Sequence, residues 1–234
     1  MTNIAHPGPR FLVPITALFT GALIISNIVA VKIADFSNVS GPVNNFFLPA
    51  AVVVFPLSYI LGDILTEVYG YRVARRVIWS AFLADAVVVV SIVAAQQLPS
   101  APFWENQAAY DSVLGQTWRL VGASFAAFLV GEFANSVVLS RMKVATNGRF
   151  LWTRTIGSTI VGEGLDSALF ITLAFSGQTG IELWPLIWKQ WAFKVGFEVL
   201  ATPLTYAVVT ALKRVEGLDT YDRDIAFNPV AVWE

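Results

Sequence analysis

The chain has 234 residues, 56% of them hydrophobic and only 13% charged, with a mean hydropathy of +0.65. A soluble domain carries about a quarter charged residues, so this composition excludes a soluble globular protein and indicates a polytopic membrane protein. The formal net charge of -1 argues against a nucleic-acid partner, which would need a basic face, and the lack of cysteine excludes disulfides, thiolate metal sites and thiol nucleophiles.

Residues 1–10 hold one basic residue and the only histidine, His6, and are expected to form a short cytoplasmic tail. The apolar run that follows is longer than the core of a signal peptide, so it is expected to be retained as a first span. Apolar runs at 11–31, 46–64, 77–95, 120–139, 156–175 and 186–212 predict six spans of about 20 residues each. The expected fold is all-α: a six-transmembrane-helix bundle over 11–213, in one domain, followed by a cytoplasmic C-terminal tail over 214–234.

Orientation follows from the basic residues. Arg72, Arg75 and Arg76 follow the second run, Arg141, Lys143, Arg149 and Arg154 lie between the fourth and fifth, and Lys213 and Arg214 close the sixth. The other connections hold only Lys32, Arg119 and Lys189, so the positive-inside rule predicts that both N and C termini are cytoplasmic. The longest connection, 96–118, carries Pro99, Pro102, Trp104 and Trp118 as an interfacial loop would. The tail beyond Glu216 is polar, with Asp219, Asp222, Arg223 and Asp224, and is expected to fray.

Within these apolar runs lie charges that hydrocarbon penalises. The sequence GEGLDS sets Glu163, Asp166 and Ser167 in the fifth run, on one helical face. GEFANS repeats the pattern in the fourth with Glu132, Asn135 and Ser136, and GDILTE echoes it in the second with Asp63, Thr66 and Glu67. Asp85, Lys194 and Glu198 are further intramembrane charges, and Ser26 with Asn27 lies past the middle of the first run. The bland account of such a pattern is helix–helix adhesion, with glycines permitting close approach and polar groups bonding across the interface. Adhesion needs no charge, however, and buried membrane charges usually serve ion or substrate pathways. The expectation is therefore one polar chamber between the helices, lined by Asp63, Asp85, Glu132, Glu163 and Asp166 together with Lys194, Glu198, Ser26 and Asn27.

Lys194 and Glu198 are four residues apart, so either they pair along one helix or Lys194 is shared with Glu163 or Asp166 and balances the acids. Among the aromatics, Tyr59, Phe125, Phe128, Trp191 and Phe197 are candidates to face the chamber, the rest serving as lipid-facing packing or interfacial belt. An aromatic wall beside carboxylates suits a planar base whose edge carries N–H donors, because the ring stacks while the carboxylate accepts paired hydrogen bonds.

Several functions are excluded or disfavoured. No GxxxxGK[ST] stretch is present, so no P-loop of its own hydrolyses ATP. With His6 the only histidine, an intramembrane Ser-His hydrolase or histidine-metal enzyme is not expected, which leaves a carboxylate-only membrane enzyme as the enzymatic alternative. No catalytic residue, metal or cofactor is assigned.

SNIVAVK in the first run, FPLSYILGDILTEVYGYRVARR across the second, STIVGEGLDSALF in the fifth and FKVGFEVL in the sixth resemble the queuosine-precursor transporters of the vitamin uptake transporter family. The resemblance spans about Ser26 to Tyr206. It implies a six-helix secondary transporter of the bacterial cytoplasmic (inner) membrane, importing 7-deazaguanine bases such as preQ0 and preQ1, or queuine. Its motif positions fall here on Asn27, Asp63, Thr66, Glu67, Arg75, Arg76, Ser158, Asp166 and Lys194. The architecture it implies is similar to the substrate-capture subunits of energy-coupling-factor vitamin transporters, and docking on such an ATPase module is the alternative function.

The substrate site expected from residues and resemblance together comprises Asp166, Glu163, Glu132, Asn27, Asp63, Asn135, Lys194, Trp191 and Phe128. Glu67, Glu198 and Asp85 are expected to serve charge balance or coupling. The partners expected are a small-molecule base and the lipid bilayer, with homodimerisation left open.

Overall fold

The computed structural model describes residues 9–35, 47–115, 118–177 and 182–231. Most of the 1–10 tail, His6 included, and the start of the second apolar run at 46 lie outside the described residues. The architecture is helical: α1 Leu12–Val29, α2 Phe55–Ile64, α3 Tyr71–Gln96, α4 Gln107–Leu114, α5 Trp118–Ala145, α6 Leu151–Phe175 and α7 Leu183–Glu216. A short antiparallel pair, β1 Ile33–Asp35 with β2 Phe47–Pro49, is the one departure from helix among the regular elements described.

Among the described residues, five helices, α1, α3, α5, α6 and α7, are long and apolar enough to cross a membrane. The second apolar run is not a continuous helix. It is a 3₁₀ turn at Ala50–Val53, then α2, then a π-helical turn at Leu65–Tyr69. Two prolines explain the break at its start: neither Pro49 nor Pro56 can donate a helical N–H, and Pro56 fits the first turn of α2, where that donor would be orphaned anyway. Gly70, at φ +85°, ends the π turn and redirects the chain into α3.

This interrupted segment is the centre of the molecule. Every residue from Ile60 to Tyr71 is buried, and Phe19 and Leu23 of α1, Ala74 and Ile78 of α3, Phe133 of α5 and Val209 of α7 pack around it. Large apolar side chains on the outer faces, such as Leu83, Val87 and Val90 of α3 and Leu200 and Leu204 of α7, are exposed, as a lipid-facing surface requires. Trp184 and Trp188 are exposed near the start of α7, where an interfacial belt belongs.

Helices α5 and α6 are antiparallel neighbours that approach to backbone contact at the repeated glycines. A Cβ on Gly131 would stand 3.0 Å from the Gly162 carbonyl oxygen, and one on Gly162 would stand 2.8 Å from that of Gly131. GEFANS and GEGLDS are thus the two sides of one close crossing, as small-residue motifs in membranes permit.

Both ends of the helical domain meet at one end of the bundle, where the backbone N–H groups of Arg10 and Phe11 donate to the Glu216 carboxylate at 3.0 and 2.7 Å. The C-terminal tail does not fray over its described residues; it packs across this end. Asp222 accepts from the Tyr71 N–H and the Ser140 hydroxyl, Arg75 donates to the Asn228 carbonyl at 2.7 Å, and the Trp79 indole donates to the Pro229 carbonyl at 2.7 Å. Polar composition alone suggested fraying. The helices, however, offer the tail specific donors, and Phe227 adds a ring contact with Tyr71 at 5.1 Å.

Candidate functional site

The intramembrane acids singled out in the sequence fall into three groups, because the helices that carry them start and turn differently from the apolar runs. Helix α3 begins at Tyr71, which puts Asp85 about 21 Å along it, well beyond the first turns.

The first group centres on Lys194 of α7. Its ammonium stands 2.6 Å from Glu163 and also pairs with Asp166, both from α6. Lys194 therefore pairs with the α6 acids, and among the described residues no ion pair to Glu198 accompanies it. The same ammonium lies over the rings of Phe55 and Tyr59, 5.5 and 5.4 Å from their centroids, and the two rings stack with an interplanar angle of 6°. A cation over an aromatic face gains about 0.5–2 kcal/mol as it is desolvated. Pro49, Val52, Phe55, Tyr59, Phe193, Lys194 and Phe197 wall a cleft of about 440 Å³ here. The Asp166 side chain retains 21% exposure against 7% for Lys194, so it is the more open of the two.

Near this trio lies a donor-poor group of buried acids. Glu132 of α5 is 6% exposed, sits against Gly62, where a Cβ would come 3.3 Å from its Cδ, and acts electrostatically with Glu163, Asp166 and Lys194. Asp63 of α2 is 1% exposed and accepts from the Asn135 amide at 2.7 Å. Glu198, Glu132 and Glu67 all lie within electrostatic reach of Asp63. One oxygen each of Asp63, Glu132, Asn135 and Glu198 has no hydrogen-bond partner among the described residues.

The second group is Asn27 with Asp85. The Asn27 amide donates to Asp85 at 2.6 Å and its carbonyl accepts from Ser124 at 3.3 Å, between α1, α3 and α5. Asp85 shows no polar companion at helical spacing in the sequence because its companions come from other helices. This trio lines a separate, mostly aliphatic cleft of about 590 Å³ that includes Phe125. Asn27 is thus not brought to Asp166.

The third group surrounds Glu67 in the π turn. Arg154 donates to both of its carboxylate oxygens at 2.8 Å, Lys213 reaches it at 2.5 Å, and Lys143 stands 3.5 Å away while donating to the Glu67 carbonyl. Asp219 of the tail binds Lys143 and Lys213 at 2.6 and 2.8 Å. Partial burial works to raise the Asp219 carboxyl, but hydrogen bonds from these two lysines outweigh it and hold the group below the ordinary carboxylate range. Arg154, Lys143 and Lys213 read in sequence as loop and terminal charges that set orientation. What marks Arg154 is its place in the first turn of α6, facing inward with 1% exposure.

Two aromatic candidates lie elsewhere. The Trp191 indole donates to the Ile160 carbonyl at 3.0 Å, tying α7 to α6, and Phe128 packs against Phe19 in the apolar core. Phe55 and Phe193 line the Lys194 cleft although sequence periodicity did not single them out. Among the described residues, no group of three or more His, Asp or Glu is arranged to hold a metal ion.

Comparison with known proteins gives this geometry a setting. Residues 49–208 match the vitamin uptake transporter family. The chain is 23% identical over 188 residues to a Bacillus subtilis protein named "Probable queuosine precursor transporter", covering 80% of this chain and 79% of that one. It is 24% identical to a Haemophilus influenzae protein of the same name, over 67% of this chain and 63% of the relative, and 24% identical to the Escherichia coli "Queuosine precursor transporter", over 52% of each. No solved structure matches. These relatives are transporters and not enzymes, and five membrane-length helices make this a multi-pass protein of the bacterial inner membrane. With a family match that takes in the interrupted second segment, the paired acids of α6 and the lysine of α7, the chain belongs to the vitamin uptake transporter family.

Proposed function

We propose that the protein imports queuosine precursors, 7-deazaguanine bases such as preQ0 and preQ1 or queuine, through the Lys194 cleft. The observation that carries this reading is the sharing of Lys194 between Glu163 and Asp166 beside the stacked faces of Phe55 and Tyr59. A deazaguanine ring is planar and presents adjacent N–H donors on one edge. Aromatic faces hold the ring, and a carboxylate accepts the paired donors. Asp166, the more open acid, meets that edge first, with Glu163 beside it and Glu132 extending the acceptor surface. Lys194 keeps the net charge of the site small while the base is absent. The names of the three relatives support the same substrate class.

The interrupted segment at 50–69 is the sixth crossing. Broken helices at membrane depth are tolerated where they line a cavity, and transporters place substrate sites beside them. Six crossings return both termini to one side, and the basic residues of that end make it the cytoplasmic side. Access alternates as the helices rock about the cleft, without an ATPase module.

Uptake of tritiated preQ1 by vesicles containing only the purified protein tests the reading. Uptake is expected in the wild type and its loss in Asp166→Asn and Glu163→Gln. Binding without uptake would instead assign the chain to a capture subunit that needs an ATP-hydrolysing partner.

A further inference from the structure

A group of buried acids near Lys194 keeps acceptor oxygens that no donor among the described residues satisfies. Asp63 of α2, Glu132 and Asn135 of α5 and Glu198 of α7 are all at least nine-tenths buried, and each has an oxygen that no donor among the described residues reaches. The Asn135 amide belongs to this group, since its nitrogen bonds Asp63 while its carbonyl oxygen stays unpartnered. The neighbouring cations are committed elsewhere: Lys194 to Glu163 and Asp166, and Arg154, Lys143 and Lys213 to Glu67.

Buried carboxylates from separate helices, within electrostatic reach and without a cation of their own, repel one another unless a positive charge joins them. Two carboxyl groups held close together meet this need most simply by sharing one proton, because they cannot both stay ionised. We propose that Asp63 and Glu198 form a proton-binding pair that couples import to the proton gradient, with Glu132 linking the pair to the substrate site.

The link is electrostatic. Glu132 acts with Glu163, Asp166 and Lys194 on one side and on Asp63 on the other, so a change of charge at either site is felt at the other. The charged groups facing the pair are Glu132 from α5, Glu67 from the π turn and, through Glu132, the Lys194 trio. A base that donates hydrogen bonds to Glu163 and Asp166 lowers the negative potential at Glu132 and alters proton affinity at Asp63. By linkage, protonation there alters affinity for the base by the same factor. The pair joins α2 to α7, so its charge state also sets the attraction between the interrupted segment and the helix that carries Lys194.

The transport arm rests on the proposed substrate; a second arm does not. In vesicles holding the purified full chain, an acid-outside gradient of one pH unit should drive about tenfold accumulation of tritiated preQ1 if one proton accompanies each base. A sodium gradient should drive none. Glu198→Gln should retain gradient-free exchange of base and lose the accumulation. Accumulation that ignores the pH gradient, or follows sodium, would overturn the proposal. If no base moves at all, the substrate reading fails, and the second arm still decides this one. The infrared spectrum of the substrate-free protein at neutral pH should contain the carbonyl stretch of a buried protonated carboxylic acid, shifted in deuterium oxide and lost in both Asp63→Asn and Glu198→Gln. A spectrum without that band, or one unchanged in both variants, would overturn it too.

Discussion

Gly131 and Gly162 pack reciprocally. A Cβ on Gly131 would stand 2.7 Å from the Asp166 Cβ, and one on Gly162 would stand 2.7 Å from the Asn135 Cβ, so each glycine receives the polar residue four places beyond the other. The repeat therefore does two jobs with one spacing. Its glycines bring α5 and α6 together, and its polar positions are delivered to the interior at the crossing.

Gly162→Ala places a methyl against backbone that cannot yield locally. It is expected to cost about 1–3 kcal/mol by overpacking. Gly196→Ala, with nothing within 4 Å of the added Cβ, should be close to neutral. Thermal unfolding of the two variants in the same detergent checks the contrast.

Lys194→Met removes the shared cation and leaves buried Glu163 beside the partly exposed Asp166 with no counter-charge from α7. Breaking a buried ion pair in this way costs about 3–5 kcal/mol. Adding Glu163→Gln should recover a substantial part of the stability, because one of the two charges is then gone. Melting temperatures of the wild type, both single variants and the double variant measure the coupling.

Arg154→Lys keeps a positive charge at Glu67 but loses the two-pronged geometry that reaches both oxygens. A fall in stability is expected, smaller than that of Arg154→Ala, which leaves Lys143 and Lys213 to compensate Glu67 alone. The order wild type, Arg154→Lys, Arg154→Ala in melting temperature is the check.

Docking of the tail is expected to be lost in acid. The folded Asp219 carboxyl titrates below its unfolded value, so its contribution is fully present above the unfolded pKa of about 3.9 and disappears as pH falls through the lower folded value. The chain has no cysteine, so a spin label on Ala226→Cys reports on the tail alone. Its spectrum should be immobilised at neutral pH and become mobile only below about pH 4. Asp219→Asn should remove the contribution of that carboxyl to the transition.

The membrane class, the helical content and the acids of interest were legible in the sequence, because a carboxylate in a run of Val, Leu and Ile stands out against what hydrocarbon tolerates. The glycine–acid repeat was legible for the same reason. Hydropathy did not reveal the break in the second segment, since Pro49 and Pro56 interrupt backbone hydrogen bonding without changing apolar content. Nor did it reveal Arg154 as an interior residue. A basic residue just before an apolar run reads as an orientation signal, and only the start of α6 at Leu151 turns it toward Glu67.

The sequence by itself determined which side chains must be sheltered from lipid, because that follows from the cost of charge in an apolar run. It could not determine which of them share a shelter. Lys194 had Glu198 within reach on its own helix, and the pairing with Glu163 and Asp166 was decided by how α7 packs on α6. Asn27 and Asp85, far apart in the chain, meet because α1 and α3 lie side by side. Partner choice among buried charges depends on distances of a few ångströms between helices, and those distances are fixed by packing, which the tertiary structure alone contains.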